Sequence, residues 1–192
     1  MFHHLLYTLS RQSYPLLSVS PSHTQISPLM LAVTIRRDDI AKLLIERHAD
    51  VQWRRPDISM MGVAALYGGA EMVRLLAEHG VDVETPENDG RTPVWIAAQK
   101  GHAEVVRLLA ELGANVEAPD NDGATPVWVA AHNGHAEVVR VLAELGANVE
   151  TPEGGTGATS VCIAAHEGHA EVVRVLAELG ANVEAPDNDG AT

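Results

Sequence analysis

Three short stretches of the sequence have residue types that could bind a metal ion or carry out catalysis. The first is Asp-Asn-Asp-Gly at 120–123, which has the composition of a calcium-binding loop. Such a loop needs an oxygen ligand at its first position and a glutamate at its twelfth. In this register those positions are Ala118 and Val129, which have no side-chain oxygen. We therefore interpret the stretch as a turn, because Asp and Asn cap nearby backbone groups and Gly adopts a positive φ.

The other two stretches contain histidine. His-Glu-Gly-His at 166–169 has one residue between its glutamate and its second histidine. A helical zinc-protease motif has two, so that both imidazole rings lie on one face. Cys162 precedes two histidines, but the sequence gives its thiol no orienting carboxylate, and we interpret it as a small residue in a core position. The sequence therefore predicts no catalytic residue, no cofactor and no metal site, and hence no enzyme.

The charge of the chain is unevenly distributed. Residues 1–55 carry about +3 and residues 56–192 about −16, for a total of −13. An acidic protein repels nucleic acid and anionic membranes and favours a basic partner. No apolar run approaches the roughly 20 residues of a membrane span. A single cysteine excludes a disulfide framework and favours an intracellular protein, cytoplasmic in preference to nuclear.

The elements that would position these residues recur at a nearly fixed interval. The pair Gly-His lies at 101–102, 134–135 and 168–169, separated by 33 and 34 residues. The surrounding text is also repeated, as in GRTPVWIAAQKGHAEVVRLLAELGANVE from Gly90 and GATPVWVAAHNGHAEVVRVLAELGANVE from Gly123. Two more divergent copies precede these, which makes five copies of one unit.

Each copy is predicted to form two helices and a connection. Thr92 can cap the first helix, with Pro93 at its first position. The second helix is predicted from about His102 to Leu112 and has one broad apolar stripe. Glu104 is predicted to pair with Arg107 three residues later. The following ANVEAPDNDG has two turn signals and predicts an extended, hairpin-like connection.

The histidines that begin the second helices are predicted to have a structural role. His102, His135 and His169 lie one repeat apart, and stacked helices are about 8–10 Å apart. Their rings are then too far from one another to share a metal ion. We expect them to form local hydrogen bonds at the start of each second helix.

The repeated pattern T-P-x-x-x-A-A-x-x-G-H-x-E-V-V-x-x-L-x-x-x-G-A-x-V resembles the ankyrin repeat. The resemblance covers roughly residues 26–192 and implies an all-α repeat solenoid of helix-turn-helix pairs with hairpin-like connecting loops. The repeats are placed at 26–58, 59–89, 90–122, 123–156 and 157–189, followed by the start of a sixth. Residues 1–25 are predicted to be an irregular leader or an atypical N-terminal segment.

The copies depart from the family at one position of the first helix. The family usually has histidine there, and this chain has Met30, Gly62, Trp95, Trp128 and Cys162. The hydrogen bond that the family forms between threonine and this histidine is therefore absent. We expect the tryptophans to pack between repeats, and an aromatic ladder for a ligand is the alternative.

The resemblance implies a non-enzymatic scaffold that binds a protein partner, possibly a basic one, on its concave face. The alternative is a targeting or regulatory arm of a larger enzyme, channel or signalling protein. The family's usual contact positions are the ends of the first helices and the tips of the connections, and the copies differ there either by selection or by neutral drift. The matching residues are Leu66, Tyr67, Asn88, Asp89, Arg91, Gln99, Lys100, Asn121, Asp122, Ala124, His132, Asn133, Ala158, His166 and Glu167.

The last full repeat has the apolar stripe of an internal one. Terminal repeats normally carry a polar outer face, whereas this one keeps Val172, Val173, Val175 and Leu176. We expect part of this face to be exposed to water. The last repeat is then predicted to fray, or the chain to self-associate end to end.

Overall fold

The computed structural model describes residues 27–52 and 58–184. The predicted leader, residues 53–57 and the predicted start of a sixth repeat fall outside these ranges. Within them the chain forms ten α-helices and no strand. The helices are α1 (Pro28–Thr34), α2 (Asp38–Glu46), α3 (Met60–Leu66), α4 (Ala70–Glu78), α5 (Pro93–Gln99), α6 (Ala103–Glu111), α7 (Pro126–His132), α8 (Ala136–Glu144), α9 (Ser160–His166) and α10 (Ala170–Glu178).

The first helix of every repeat begins at a hydroxyl cap. The Thr92 hydroxyl accepts a hydrogen bond from the backbone N–H of Trp95 at 3.3 Å, and Pro93 follows the cap. This geometry confirms the predicted cap, which satisfies a donor that the helix itself leaves open. The other caps are Ser27, Ser59, Thr125 and Thr159.

The second helix of each repeat buries its apolar stripe. In α6, which ends within a residue of the prediction, the buried residues are Val105, Val106, Leu108 and Leu109. Gly101 before it and Gly113 after it have φ values of 77° and 95°, in the left-handed region that glycine adopts without strain. Glycines that adopt a positive φ therefore mark both ends of this short helix in the sequence.

The helices stack in two rows. First helices pack against first helices, second helices pack against second helices, and the two helices of each repeat pack against each other. The buried residues of all five repeats form one continuous hydrophobic cluster. Because each repeat buries its stripe against its neighbours, the predicted all-α solenoid is confirmed.

Three connecting loops project from one side of the stack: loop A (79–92), loop B (112–125) and loop C (145–159). Each has a hairpin tip, as in loop B, where the Asp120 N–H donates to the Ala124 carbonyl at 3.1 Å. Gly123 at this tip has a φ of 85°, so the turn interpretation of the Asp-Asn-Asp-Gly stretch is confirmed. The loops also contact one another, since the Asn121 N–H of loop B donates to the Asp89 carbonyl of loop A at 3.0 Å.

Glutamates at the bases of the loops link successive repeats. Glu117 accepts a hydrogen bond from the Asn148 N–H at 2.8 Å, and Glu150 accepts one from the Asn182 N–H at 2.6 Å. Glu84 accepts the equivalent bond from Asn115. Each loop is thereby fixed to the next one along the chain.

The second helices are linked by contacts that the sequence analysis assigned to a single repeat. The expected pair between Glu104 and Arg107 is wrong, because Arg107 Nη2 instead lies 2.7 Å from Glu144 Oε2 in the next repeat. The expected local role of the histidines is also wrong, since Nε2 of His102 lies 3.1 Å from the carbonyl oxygen of Leu66 in the preceding repeat. His135 and His169 make the same contact, with the carbonyls of Gln99 and His132. For Arg107 and these histidines, the observed partner lies in the neighbouring repeat and not in their own helix.

The apolar stripe of the last repeat is exposed only in part, in agreement with the expectation for this face. Val172, Val175 and Leu176 are buried against the preceding repeat, with at most 1% exposed. Only Val173 of the four is partly exposed. The exposed part of this face is therefore confined, among these four residues, to Val173, and fraying or self-association of the last repeat stays a prediction.

Candidate functional site

A depression of about 860 Å³ lies on the concave side of the stack. It is formed by loops B and C together with the exposed faces of α5, α7 and α9. The residues that line it are Trp95, Gln99, Asp120, Asn121, Asp122, Gly123, Ala124, Trp128, Val129, His132, Glu153, Gly154, Gly155, Thr156 and Ile163. Five of the residues selected from the sequence are among them: Gln99, Asn121, Asp122, Ala124 and His132.

Most of the selected residues have surface that a partner could contact. Ala124 does not, since it is 4% exposed and its side chain is covered. Five are partly exposed: Leu66, Tyr67, Arg91, Gln99 and Ala158. The remaining nine are exposed: Asn88, Asp89, Lys100, Asn121, Asp122, His132, Asn133, His166 and Glu167.

Two tryptophans hold the first helices to the following loops. The indole N–H of Trp95 donates to the Ala124 carbonyl at 2.9 Å, and that of Trp128 donates to the Ala158 carbonyl at 3.0 Å. The prediction that the tryptophans pack between repeats is therefore confirmed. Trp95 is 6% exposed, whereas Trp128 is only partly buried and lies at the surface of the depression.

Repeat two fills the equivalent position in a different way. Gly62 replaces the tryptophan there, and the carboxylate of Glu87 reaches across from loop A into the space beside it. Glu87 is 4% exposed. Its Oε1 accepts hydrogen bonds from the Ser59 N–H at 2.9 Å and from the Ser59 hydroxyl at 2.7 Å. Sequence reasoning missed this contact, although a glycine in a helix at the tryptophan position was a signal that another side chain fills the gap.

The loop side of the depression is acidic. Among the described residues, its lining contains Asp120, Asp122 and Glu153 and neither lysine nor arginine. The backbone N–H of Thr156 holds the pKa of Glu153 below its usual range against the opposing effect of burial, and the N–H of Gly155 and the hydroxyl of Thr156 act in the same direction as the first hydrogen bond. This carboxylate is therefore ionised at neutral pH and contributes to a negative potential.

The helix side of the depression carries imidazole and carboxylate groups. The ring of His132 lies 5.3 Å from that of Trp128, centroid to centroid, at a tilt of 59°. Glu167 lies between two histidines, with its Oε1 at 3.9 Å from Nε2 of His132 and 3.0 Å from Nδ1 of His166. These exposed groups can exchange hydrogen bonds with a bound molecule.

Sequence reasoning missed part of the lining of this surface. Glu153, Thr156 and Ile163 line the depression although none of them was selected. Loop C has one extra residue in Glu-Gly-Gly-Thr-Gly-Ala at 153–158, and this irregularity was the signal that its surface differs from that of loop B.

Neither a metal site nor a membrane-spanning helix is found among the described residues. Nowhere in 27–52 and 58–184 do three or more His, Cys, Asp or Glu side chains cluster as metal ligands would. In the same ranges, no helix has the length and apolar character needed to cross a bilayer.

Comparison with known proteins adds an independent result. The sequence model of a family described as ankyrin repeats, in three copies, matches residues 29–120, 61–153 and 115–187. Together these matches cover most of the chain. No curated protein matches it.

Proposed function

The chain belongs to the ankyrin repeat family, and we propose that it is a scaffold that binds a protein partner through its concave face. Ankyrin repeats are general protein–protein interaction modules, and their domains are typically not enzymes. The proposed binding face consists of the tips of loops A, B and C and the exposed sides of α5, α7 and α9.

The depression between loops B and C is the observation that supports this proposal. It is concave, it has partly exposed apolar side chains at Trp128 and Ile163, and it is bordered by polar groups. The loops are fixed to one another by hydrogen bonds such as that from the Gly154 N–H to the Asp122 carbonyl at 3.2 Å. A surface that is already ordered loses little conformational entropy when it binds.

The experiment compares capture of a partner by three forms of the full chain. The first is the wild type, and the second combines Asp122→Ala, His132→Ala and His166→Ala on the concave face. The third is a matched control with Glu104→Ala and Glu137→Ala, at exposed positions on the second helices. Thermal unfolding checks that all three are folded.

We expect the wild type and the control to retain the same protein and the concave-face variant to lose it. If the concave-face variant captures that protein as well as the wild type does, the proposed face is wrong. If the wild type captures no protein that the control also captures, the proposed function itself is wrong.

The charge of the chain extends the proposal to the type of partner. The net charge of −13 favours a basic protein and disfavours nucleic acid and anionic membranes. The single Cys162 thiol favours an intracellular location, and we propose the cytoplasm in preference to the nucleus.

End-to-end self-association would use the partly exposed Val173. Sedimentation of the wild type and of Val173→Glu at increasing concentration tests this association. Equal masses for the two proteins would exclude it.

A further inference from the structure

Repeat three contains an arginine held between a tryptophan and an aspartate. The guanidinium carbon of Arg91 lies 5.5 Å from the centroid of the Trp95 ring. Its Nε lies 2.7 Å from Oδ2 of Asp89. The first contact is within the range of a cation–π interaction, and the second is an ion pair. The chain therefore shows how one arginine fits this position of the repeat.

Repeat four has the same tryptophan and aspartate without the arginine. Trp128, Asp122 and Ala124 lie 33 residues after Trp95, Asp89 and Arg91, respectively. All three line the depression on the concave face. In keeping with the loss of the covering side chain, Trp128 is more exposed than Trp95.

We propose that Trp128 and Asp122 bind an arginine side chain of the protein partner, with the guanidinium over the indole ring and paired with the carboxylate. The inference rests on the proposed function and names the chemistry of the partner at that surface.

The charges around this position favour a cation. Glu153 from loop C lies in the same lining, and Asp122 itself forms no hydrogen bond or ion pair through its carboxylate with the described residues. Arginine fits better than lysine, because its planar group stacks on an aromatic face while it donates to a carboxylate. The site is confined to repeat four among repeats three to five, since repeat five has Cys162 in place of the tryptophan.

The test is a titration of the full chain, labelled with ¹⁵N, with the tripeptide acetyl-Gly-Arg-Gly-amide. The indole N–H signal of Trp128 and the backbone signals of Asp122 and Ala124 report binding. We expect the matched citrulline tripeptide, which has the shape of arginine without its charge, to bind about tenfold more weakly. Equal affinities for the two peptides, or no response of Trp128 at the highest soluble concentration, would overturn the proposal.

Two variants locate the site. Asp122→Asn is expected to weaken arginine binding several-fold, since the ion pair is lost. Ala124→Arg is expected to abolish it, because its own side chain takes the position that Arg91 takes in repeat three. If a folded Ala124→Arg variant binds the peptide as the wild type does, the position is wrong. Spectra of the free variants show whether they are folded, and Asp122→Asn tests the proposal even if Ala124→Arg is not.

The reciprocal variant is Arg91→Ala. It removes the internal arginine from Trp95 and Asp89, and we expect the Trp95 indole signal to respond to the peptide as that of Trp128 does. A Trp95 signal that stays unchanged would overturn the equivalence of the two repeats.

Failure of this inference and failure of the proposed function give different results. If a protein partner is captured through the concave face but Ala124→Arg does not reduce its capture, the arginine site is wrong and the scaffold function stands. If the peptide binds Trp128 but no protein is captured, the scaffold function is wrong and the arginine site stands.

Discussion

The contact between α3 and loop A differs from the contact between α5 and loop B, although both lie at equivalent places in the stack. At the first, a buried carboxylate from the loop reaches back to the helix, where Glu87 meets Ser59 and fills the space beside Gly62. At the second, an indole from the helix reaches forward to a backbone carbonyl, from Trp95 to Ala124. The two contacts occupy equivalent positions but are built from different residues. In the first the loop supplies the side chain that bridges the gap, and in the second the helix supplies it.

The difference shows that the repeat fixes the space between a first helix and the following loop. It does not fix which residue fills that space. Either side can supply the group that fills this space, provided that the other side accommodates it. Gly62 accommodates Glu87 because it has no side chain, and loop B accommodates Trp95 because a carbonyl is available at every residue. The following predictions compare the two contacts.

The largest effect is expected for Trp95→Ala. The ring is 6% exposed, and its removal leaves a cavity and takes from the Ala124 carbonyl one of its two hydrogen bonds, the other being that from the Asp120 N–H. We expect a loss of roughly 4 kcal/mol in the free energy of unfolding, typical of a buried tryptophan. Trp128→Ala is the control and should cost less, because that ring is partly exposed. Urea denaturation measures both losses, and a smaller loss for Trp95→Ala than for Trp128→Ala would contradict this ranking.

Glu87→Ala is expected to have the next largest effect. It leaves the buried N–H and hydroxyl of Ser59 without the acceptor that Glu87 supplies, and we expect a loss of roughly 2 to 3 kcal/mol. Glu153→Ala is the matched control at the equivalent position of loop C. Its carboxylate is bound to the exposed tip of its own loop, so its removal should cost under about 1 kcal/mol. Urea denaturation measures both losses. Similar values would show that the contact of Glu87 with α3 contributes no more to stability than the contacts of Glu153 within loop C.

A smaller effect of unusual sign is expected for Gly62→Ala. Alanine usually stabilises a helix relative to glycine by roughly 1 kcal/mol. A Cβ at Gly62 would lie 2.5 Å from Oε1 of Glu87, so we expect a loss of roughly 1 to 2 kcal/mol instead. In a Glu87→Ala background the loss should fall by at least about 1 kcal/mol. A double-mutant cycle measures this coupling, and additive losses would refute it.

The smallest effect is a dependence of stability on pH at His102, which links α6 to the end of α3 opposite its contact with loop A. Burial lowers the pKa of His102 below 6.5, against the opposing effect of its hydrogen bond to the Leu66 carbonyl. Well above pH 6.5 the ring is neutral in the folded and in the unfolded chain, and its full contribution to stability is present. As pH falls, the unfolded chain takes up a proton first, so stability decreases until pH passes below the pKa of the folded state.

His102→Gln is expected to reduce this pH dependence. Urea denaturation at several pH values between about 7.5 and 5.5 covers the range below the ordinary pKa of histidine. The slope of stability against pH should be shallower for His102→Gln than for the wild type. An unchanged slope would assign the pH dependence to other groups.

Features that depend on one repeat could be predicted from the sequence. The cap at Thr92, the helix near 102–112 and the turn at Gly123 follow from local preferences that recur in register. The apolar stripe and the short repeat length then require stacking, which gives the solenoid. The residues selected at the ends of the first helices and at the loop tips are at least partly exposed, apart from Ala124, and their role in binding stays a prediction.

Features that depend on the folded arrangement, between two repeats or between distant parts of one repeat, could not be predicted in the same way. Arg107 has an acidic residue at helical spacing within its own repeat, and only the stacking distance makes Glu144 the better partner. Glu87 and Ser59 are 28 residues apart, and no local pattern connects them. The position of Arg91 over Trp95 likewise depends on the fold of the loop, which places a side chain beside a ring four residues later.

The backbone carbonyl that receives each tryptophan has a consequence for how the gene can change. A carbonyl does not depend on the identity of its residue, and Trp95 and Trp128 therefore use Ala124 and Ala158 alike. Duplication or deletion of one such unit of DNA would join a tryptophan to a loop that already accepts it. Glu87 and Gly62 lie in one repeat, so duplication of that repeat copies both, whereas a crossover between them would separate two residues that must change together. Recombination between repeats three and four, which both have the tryptophan, can therefore lengthen or shorten the array without loss of this contact.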